Sequence, residues 1–129
     1  MVTDAQEYQY GLKKEIELKP TLENWFGVKL NATKKWASFD FEGEGIIIEL
    51  KSRRNTKNRY PTTIVGMNKV KKIAPNTRVV FAFNFTDGLY VWEYKENDFE
   101  VVNIQRRDRR NIPPKPYLSI PIEVLTKIE

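Results

Sequence analysis

The segment Phe39-Asp40-Phe41-Glu42-Gly43-Glu44-Gly45-Ile46-Ile47-Ile48-Glu49-Leu50-Lys51 constrains the fold more than any other part of the chain. Two apolar runs flank a glycine-rich turn at Glu42-Gly43-Glu44, the pattern of a β-hairpin. Side chains alternate faces along a strand. Ile46, Ile48 and Leu50 therefore share one face of the second strand, and Ile47, Glu49 and Lys51 share the other. Three consecutive isoleucines place this strand centrally in a sheet, where an unpaired charge is costly. A carboxylate and an ammonium at the end of such a run are expected either to pair or to do chemistry.

The chain has 129 residues, the size of one domain with a real core. Apolar residues make up 40% and aromatics 12%, so it is expected to fold as a single domain over residues 1–129. No run approaches the length of a membrane span. The start, Met1-Val2-Thr3-Asp4-Ala5-Gln6-Glu7, lacks the charge and apolar stretch of a signal peptide, which predicts an intracellular protein. Cysteine and histidine are both absent. Disulfides, Cys/His zinc sites, thiol catalysis and histidine bases are thereby excluded. Acid-base work falls to Asp, Glu, Lys, Tyr and metal-activated water. With 22 Lys+Arg against 17 Asp+Glu, the net charge of +5 favours a polyanionic partner.

Apolar residues at Tyr8, Leu12, Ile16, Leu22 and Phe26 have helical spacing. Pro20 predicts a break there, Thr21 a new N-cap and Gly27 a C-terminal cap. A short strand is expected at 28–31, the hairpin strands at 35–41 and 45–51, and a polar loop over 52–60. Ile64, Met67, Val70 and Ile73 recur every third residue, which predicts a helix from Thr62 or Thr63 to about Ile73, stopped by Pro75. Val79, Val80, Phe81, Phe83 and Phe85 form a dense strand, Asp87-Gly88 is a hairpin turn, and Leu89–Tyr94 returns. Phe81, Phe83 and Phe85 share a face and are expected in the core, as are Trp25, Trp36 and Trp92. A strand at 99–104, a basic then proline-rich loop at 105–115, a short strand at 117–120 and a closing helix over 121–128 complete the chain. The order α-β-β-β-α-β with further β describes an α/β sheet with helices packed against it.

Asp40 lies on the strand next to Glu49 and Lys51, so two carboxylates and a lysine can converge. That set suffices to hold Mg²⁺ and direct water against a phosphodiester. The element order, with Asp and Glu-x-Lys on the second and third strands, resembles the PD-(D/E)xK nuclease superfamily, especially its small resolvases and phage-type endonucleases. The resemblance spans residues 7–85. It implies a restriction-endonuclease-like α-β-β-β-α-β core, with a mixed sheet, flanking helices and an added C-terminal hairpin. It also implies that Asp40 and Glu49 coordinate Mg²⁺, for which Mn²⁺ substitutes, and that Lys51 orients the attacking water. A helix glutamate often completes the metal shell in that family; Glu15 matches best, ahead of Glu17 and Glu7. Phe39 stands where the family often has proline, and the spacing from Asp40 to Glu49 is short.

Arg53, Arg54, Lys57 and Arg59 follow Lys51 directly and are placed to hold phosphates of the strand being cut, or to form a solvated loop. Lys69 and Lys72 are candidates at the same end of the sheet, Lys69 being the better for a phosphate contact. Arg106, Arg107, Arg109 and Arg110 form a second cluster that either extends the footprint or solubilises a loop. The function implied is a metal-dependent DNA endonuclease, with a homodimer as one way to cut both strands. The alternative is an inactive nuclease-fold module that binds nucleic acid. A third possibility is a domain whose basic face meets an acidic protein.

Overall fold

The structure, a computed structural model, describes residues 4–34, 37–71, 73–105 and 113–129. In chain order the elements are α1 (Asp4–Phe26), β1 (Asn31–Ala32), β2 (Phe41–Gly43), β3 (Ile46–Ser52), β4 (Thr62–Gly66), β5 (Arg78–Phe85), β6 (Gly88–Glu93), β7 (Glu100–Ile104), β8 (Lys115–Pro121) and β9 (Thr126–Lys127). Short 3₁₀ turns lie at Lys57–Arg59, Met67–Val70, Glu96–Asp98 and Ile122–Val124. The architecture is mixed α/β, with one α-helix and a mixed sheet among the described residues. No described helix is long and apolar enough to cross a membrane.

Strand β5 organises the molecule. Val79 through Phe83 are all buried, so neither face of the strand meets water. It lies inside a six-stranded sheet of order β1-β2-β3-β5-β6-β9, parallel to β3 and antiparallel to β6. Its alternating side chains feed two cores. Val80 and Ala82 pack with Ile46, Ile48 and Leu50 of β3 and with Leu18 and Leu22 of α1. Val79, Phe81, Phe83 and Phe85 pack with Trp92 of β6 and with Val65, Leu118 and Ile120. The last three belong to a second, three-stranded antiparallel sheet of order β4-β8-β7. The large sheet is thus sandwiched between the helix and the small sheet, and both of its faces are buried as the isoleucine run requires.

Several expectations are corrected. The helix does not break at Pro20 but runs through it. Leu18 and Leu22, on either side of the proline, are both anchored in the core, and this packing outweighs the lost amide. Residues 62–73 are not a helix. Thr62-Thr63-Ile64-Val65 forms β4, with Thr63 and Val65 buried and Thr62 and Ile64 exposed, a period of two. β-Branched side chains suit this pleated edge better than a helix. The threefold spacing of Met67, Val70 and Ile73 is nevertheless real. The first two lie in a 3₁₀ turn, where residues three apart stack, and all three pack on the second core.

The closing helix is likewise absent: the chain leaves β8 through a 3₁₀ turn into β9. The strand expected at 35–41 is confined to Phe41–Gly43, and the strand expected at 28–31 is Asn31–Ala32. The hairpin turn falls at Glu44-Gly45 rather than one residue earlier. Gly45 takes φ 70° while Gly43 stays in the ladder opposite Ile46. Trp25 is 51% exposed rather than buried, whereas Trp92 is in the core as expected. Trp36 lies outside the described residues.

Candidate active site

The site is built where β2 begins. Asp40 N–H donates to the Ile48 carbonyl at 3.0 Å, and the Asp40 carbonyl accepts from Thr33 N–H at 3.0 Å. The Phe39 carbonyl is turned to the Thr33 hydroxyl. Asp40 Oδ2 accepts from Leu50 N–H at 2.8 Å, so a carboxylate serves a strand amide where a main-chain carbonyl would ordinarily do so. This bond fixes the Asp40 carboxyl beside β3 and next to Glu49.

Glu49 is only 6% exposed. Its parallel partner on β5 is Phe81, which is fully buried. Burial, followed by contact with the Asp40 carboxyl, pushes Glu49 up to about 7, against the pull of Lys51 and Lys69. Asp40 is also raised, chiefly by burial and further by the nearby Glu15 carboxylate; its bonds to Glu49 and Leu50 N–H act in the opposite direction. Burial and mutual contact thus favour a proton on the pair at pH values where two separated carboxyls would have lost it.

Lys69 Nζ stands 2.8 Å from Glu49 Oε2 and donates to the Ser38 carbonyl at 2.5 Å. Glu49 Oε2 is nevertheless buried without a hydrogen-bond partner among the described residues. Lys69 nonetheless gives that oxygen a charged neighbour at ion-pair distance. Lys51 lies on the same face, two residues along the strand. Burial pushes its ammonium below the usual lysine value; Glu49 opposes this, and the positive charges of Lys69 and Arg53 reinforce it. Among the described residues no acceptor takes a hydrogen bond from Lys51 Nζ.

Arg53, next on this face, donates through Nη2 to the Ile64 carbonyl of β4 at 2.8 Å, and burial lowers its affinity for its proton. Arg54 turns the other way and lies 4.3 Å from the centre of the Tyr10 ring of α1. Lys57 Nζ sits 5.3 Å from the Tyr90 ring centre, and the Arg59 guanidinium 5.5 Å from that of Tyr60. The basic loop is thus pinned by aromatic rings on several sides.

The structure brings Asp40, Glu49 and Lys51 into electrostatic reach of one another, with Lys69 reaching Glu49 and Lys51, Glu15 reaching Asp40, and Arg53 reaching Lys51. Glu17 is spent elsewhere, paired with Lys14 at 3.2 Å. The Glu7 side chain, Lys72, Arg106, Arg107, Arg109 and Arg110 lie outside the described residues. Among the described residues, no three acidic groups stand in a ready metal-holding arrangement. Ser38 and Tyr10 were not anticipated. Ser38 acts through its carbonyl, which no sequence pattern marks, and Tyr10 enters only through its contact with Arg54 from a distant loop. No family model, no curated protein and no solved structure matches this chain.

Proposed function

We propose that the protein is a metal-dependent endonuclease that hydrolyses phosphodiester bonds in DNA. The observation that carries this reading is the buried contact between Asp40 and Glu49 with Lys51 on the same face. Two carboxyls forced together out of water are costly unless a cation joins them. Glu49 Oε2, which makes no hydrogen bond among the described residues and is faced by the Lys69 ammonium, would be a ligand atom once Lys69 gives way to that cation. The fold supports the same reading. A helix, a three-strand meander and a further strand parallel to the third follow the expected order, although β4 and a 3₁₀ turn stand where the crossover helix was expected.

Asp40 and Glu49 would hold Mg²⁺ or Mn²⁺, with Glu15 completing the set by a side-chain movement. A bound Mg²⁺ supplies charge neutralisation at the phosphate and makes water a better nucleophile at neutral pH. Lys51, desolvated beside Glu49, orients the attacking water and adds positive charge as the new P–O bond forms. Arg53 and Lys69 border the same space and favour the phosphate approaching it. As the P–O bond to the leaving strand breaks, its oxygen takes a proton from solvent water, balancing the proton that the attacking water releases to solvent.

A second reading, a nucleic-acid-binding module without activity, is favoured by one observation. The Lys69 ammonium stands against Glu49 where a metal would be drawn. Incubation of supercoiled and branched DNA with Mg²⁺, Mn²⁺, Ca²⁺ or EDTA separates the two. Nicking is expected with Mg²⁺ and Mn²⁺ only. Lys51→Ala should lower it at least about a hundredfold while leaving DNA affinity nearly unchanged. Salt-sensitive binding with no cleavage of any substrate would select the second reading.

A further inference from the structure

Beside the carboxylate site lies a second concavity that the proposed chemistry does not use. It has a volume of about 380 Å³ and is lined by Arg53, Asn55, Lys57, Tyr60, Phe85 and Ile122, among others. Arg53 belongs to both places. Its position on the face of Glu49 and Lys51 makes the cleft the next space along from the reacting phosphate. The walls are mixed. The Phe85 side chain is buried at the back, and Tyr60 stands at the mouth with 55% of its surface exposed. Ile122 is held in place by the hydrogen bond its N–H donates to the Pro61 carbonyl at 3.1 Å. The Asn55 carbonyl accepts from Thr86 N–H at 3.0 Å, and Arg53 N–H donates to the Asn84 carbonyl at 2.8 Å, which fixes the floor. Arg53 and Lys57 add positive charge to the lining.

A cleft lined by aromatic and aliphatic side chains together with two cations suits a planar base carried on a phosphate chain. A duplex cannot present that shape, because its bases are paired and stacked within the helix. We propose that this cleft takes an unpaired nucleobase next to the phosphate being cut, so that the substrate is DNA with a single-stranded segment. The inference rests on the proposed DNA-cleaving role. In it Tyr60 supplies the stacking surface, and Arg53 and Lys57 hold the adjoining phosphates. The Arg59 guanidinium, 5.5 Å from the Tyr60 ring centre, orients that ring.

The test is equilibrium binding in EDTA, where no cleavage intervenes. The probe is a single-stranded oligodeoxynucleotide carrying 2-aminopurine, whose fluorescence is quenched by stacking. The parent protein and Tyr60→Phe should quench it and bind it at least about tenfold more tightly than the same sequence as a blunt duplex. Tyr60→Ala, a change at an exposed position, should lose the quench and about tenfold in affinity for the single strand but little for the duplex. Equal affinity for the two forms of DNA, or an undiminished quench in Tyr60→Ala, would overturn the proposal. Inorganic phosphate competing as well as the oligonucleotide would show a phosphate site only and would also overturn it. Tyr60-dependent binding of the single strand without Mg²⁺-dependent cutting would leave the cleft standing and remove the nuclease reading. Cutting without any dependence on Tyr60 would do the reverse.

Discussion

The proton shared by Glu49 and Asp40 gives the metal-free protein a pH dependence opposite in sign to that of an ordinary ion-paired carboxylate. With Glu49 raised to about 7, the folded state binds this proton more tightly than the unfolded chain does. The stabilisation is fully present below the ordinary glutamate range and is lost as pH rises through 7. At full size it amounts to about 3 kcal/mol. In EDTA, the melting temperature should therefore fall between about pH 5 and about pH 8, and fall less in Glu49→Gln. Millimolar Mg²⁺ should restore the parent at the upper pH, because a ligand that binds the ionised pair stabilises the fold. Identical pH profiles for parent and Glu49→Gln would rule out the shared proton. The alternation of side chains in a strand was enough to put Glu49 and Lys51 on one face from sequence alone. The charge of Lys69 on Glu49 was not visible there, because it depends on how a distant turn docks.

Elements were legible where one period dominated. The hairpin, β5 and β6 follow from alternation and turn chemistry, although the β5–β6 turn is Thr86-Asp87 rather than Asp87-Gly88, with Gly88 already paired to Phe85. The segment 62–73 was misread because two periods overlap in it. Val65 and Thr63 set a strand, while Met67, Val70 and Ile73 mimic a helix face. Only the partner strand β8, paired with β4 from Thr62↔Pro121 to Gly66↔Tyr117, decides between them. The tightness of the hairpin has its own test. A Cβ added at Gly43 would stand 2.8 Å from the Lys29 carbonyl, a main-chain atom that cannot easily move aside. Gly43→Ala should cost about 1–3 kcal/mol in urea denaturation. It should also disturb the approach of Asp40 to Glu49, which the same hairpin sets. An unchanged midpoint would mean that the β2 edge is looser than its contacts imply.

At the scale of the whole molecule, charge and topology govern different things. The net charge of +5 should make DNA affinity fall with salt. Arg54 and Arg59 are better probes of this than Arg53, because loss of the Arg53 bond to the Ile64 carbonyl is partly structural. Arg54→Gln and Arg59→Gln should each make the slope of log affinity against log salt shallower by about one unit. Slopes equal to the parent's would place the phosphates elsewhere. Topology acts through the parallel β3–β5 pair. Its first partners are Ile46 and Arg78, and the whole of β4 and its turns lies between them. The β2–β3 hairpin can close early and locally, but β3 cannot pair with β5 until that long loop has closed. Glu49 can meet Asp40 before this happens, yet it loses water only when Phe81 arrives beside it. Refolding at a pH between the ordinary glutamate range and 7 should thus capture a proton from solvent in its late phase. That uptake marks the moment at which the central sheet becomes whole.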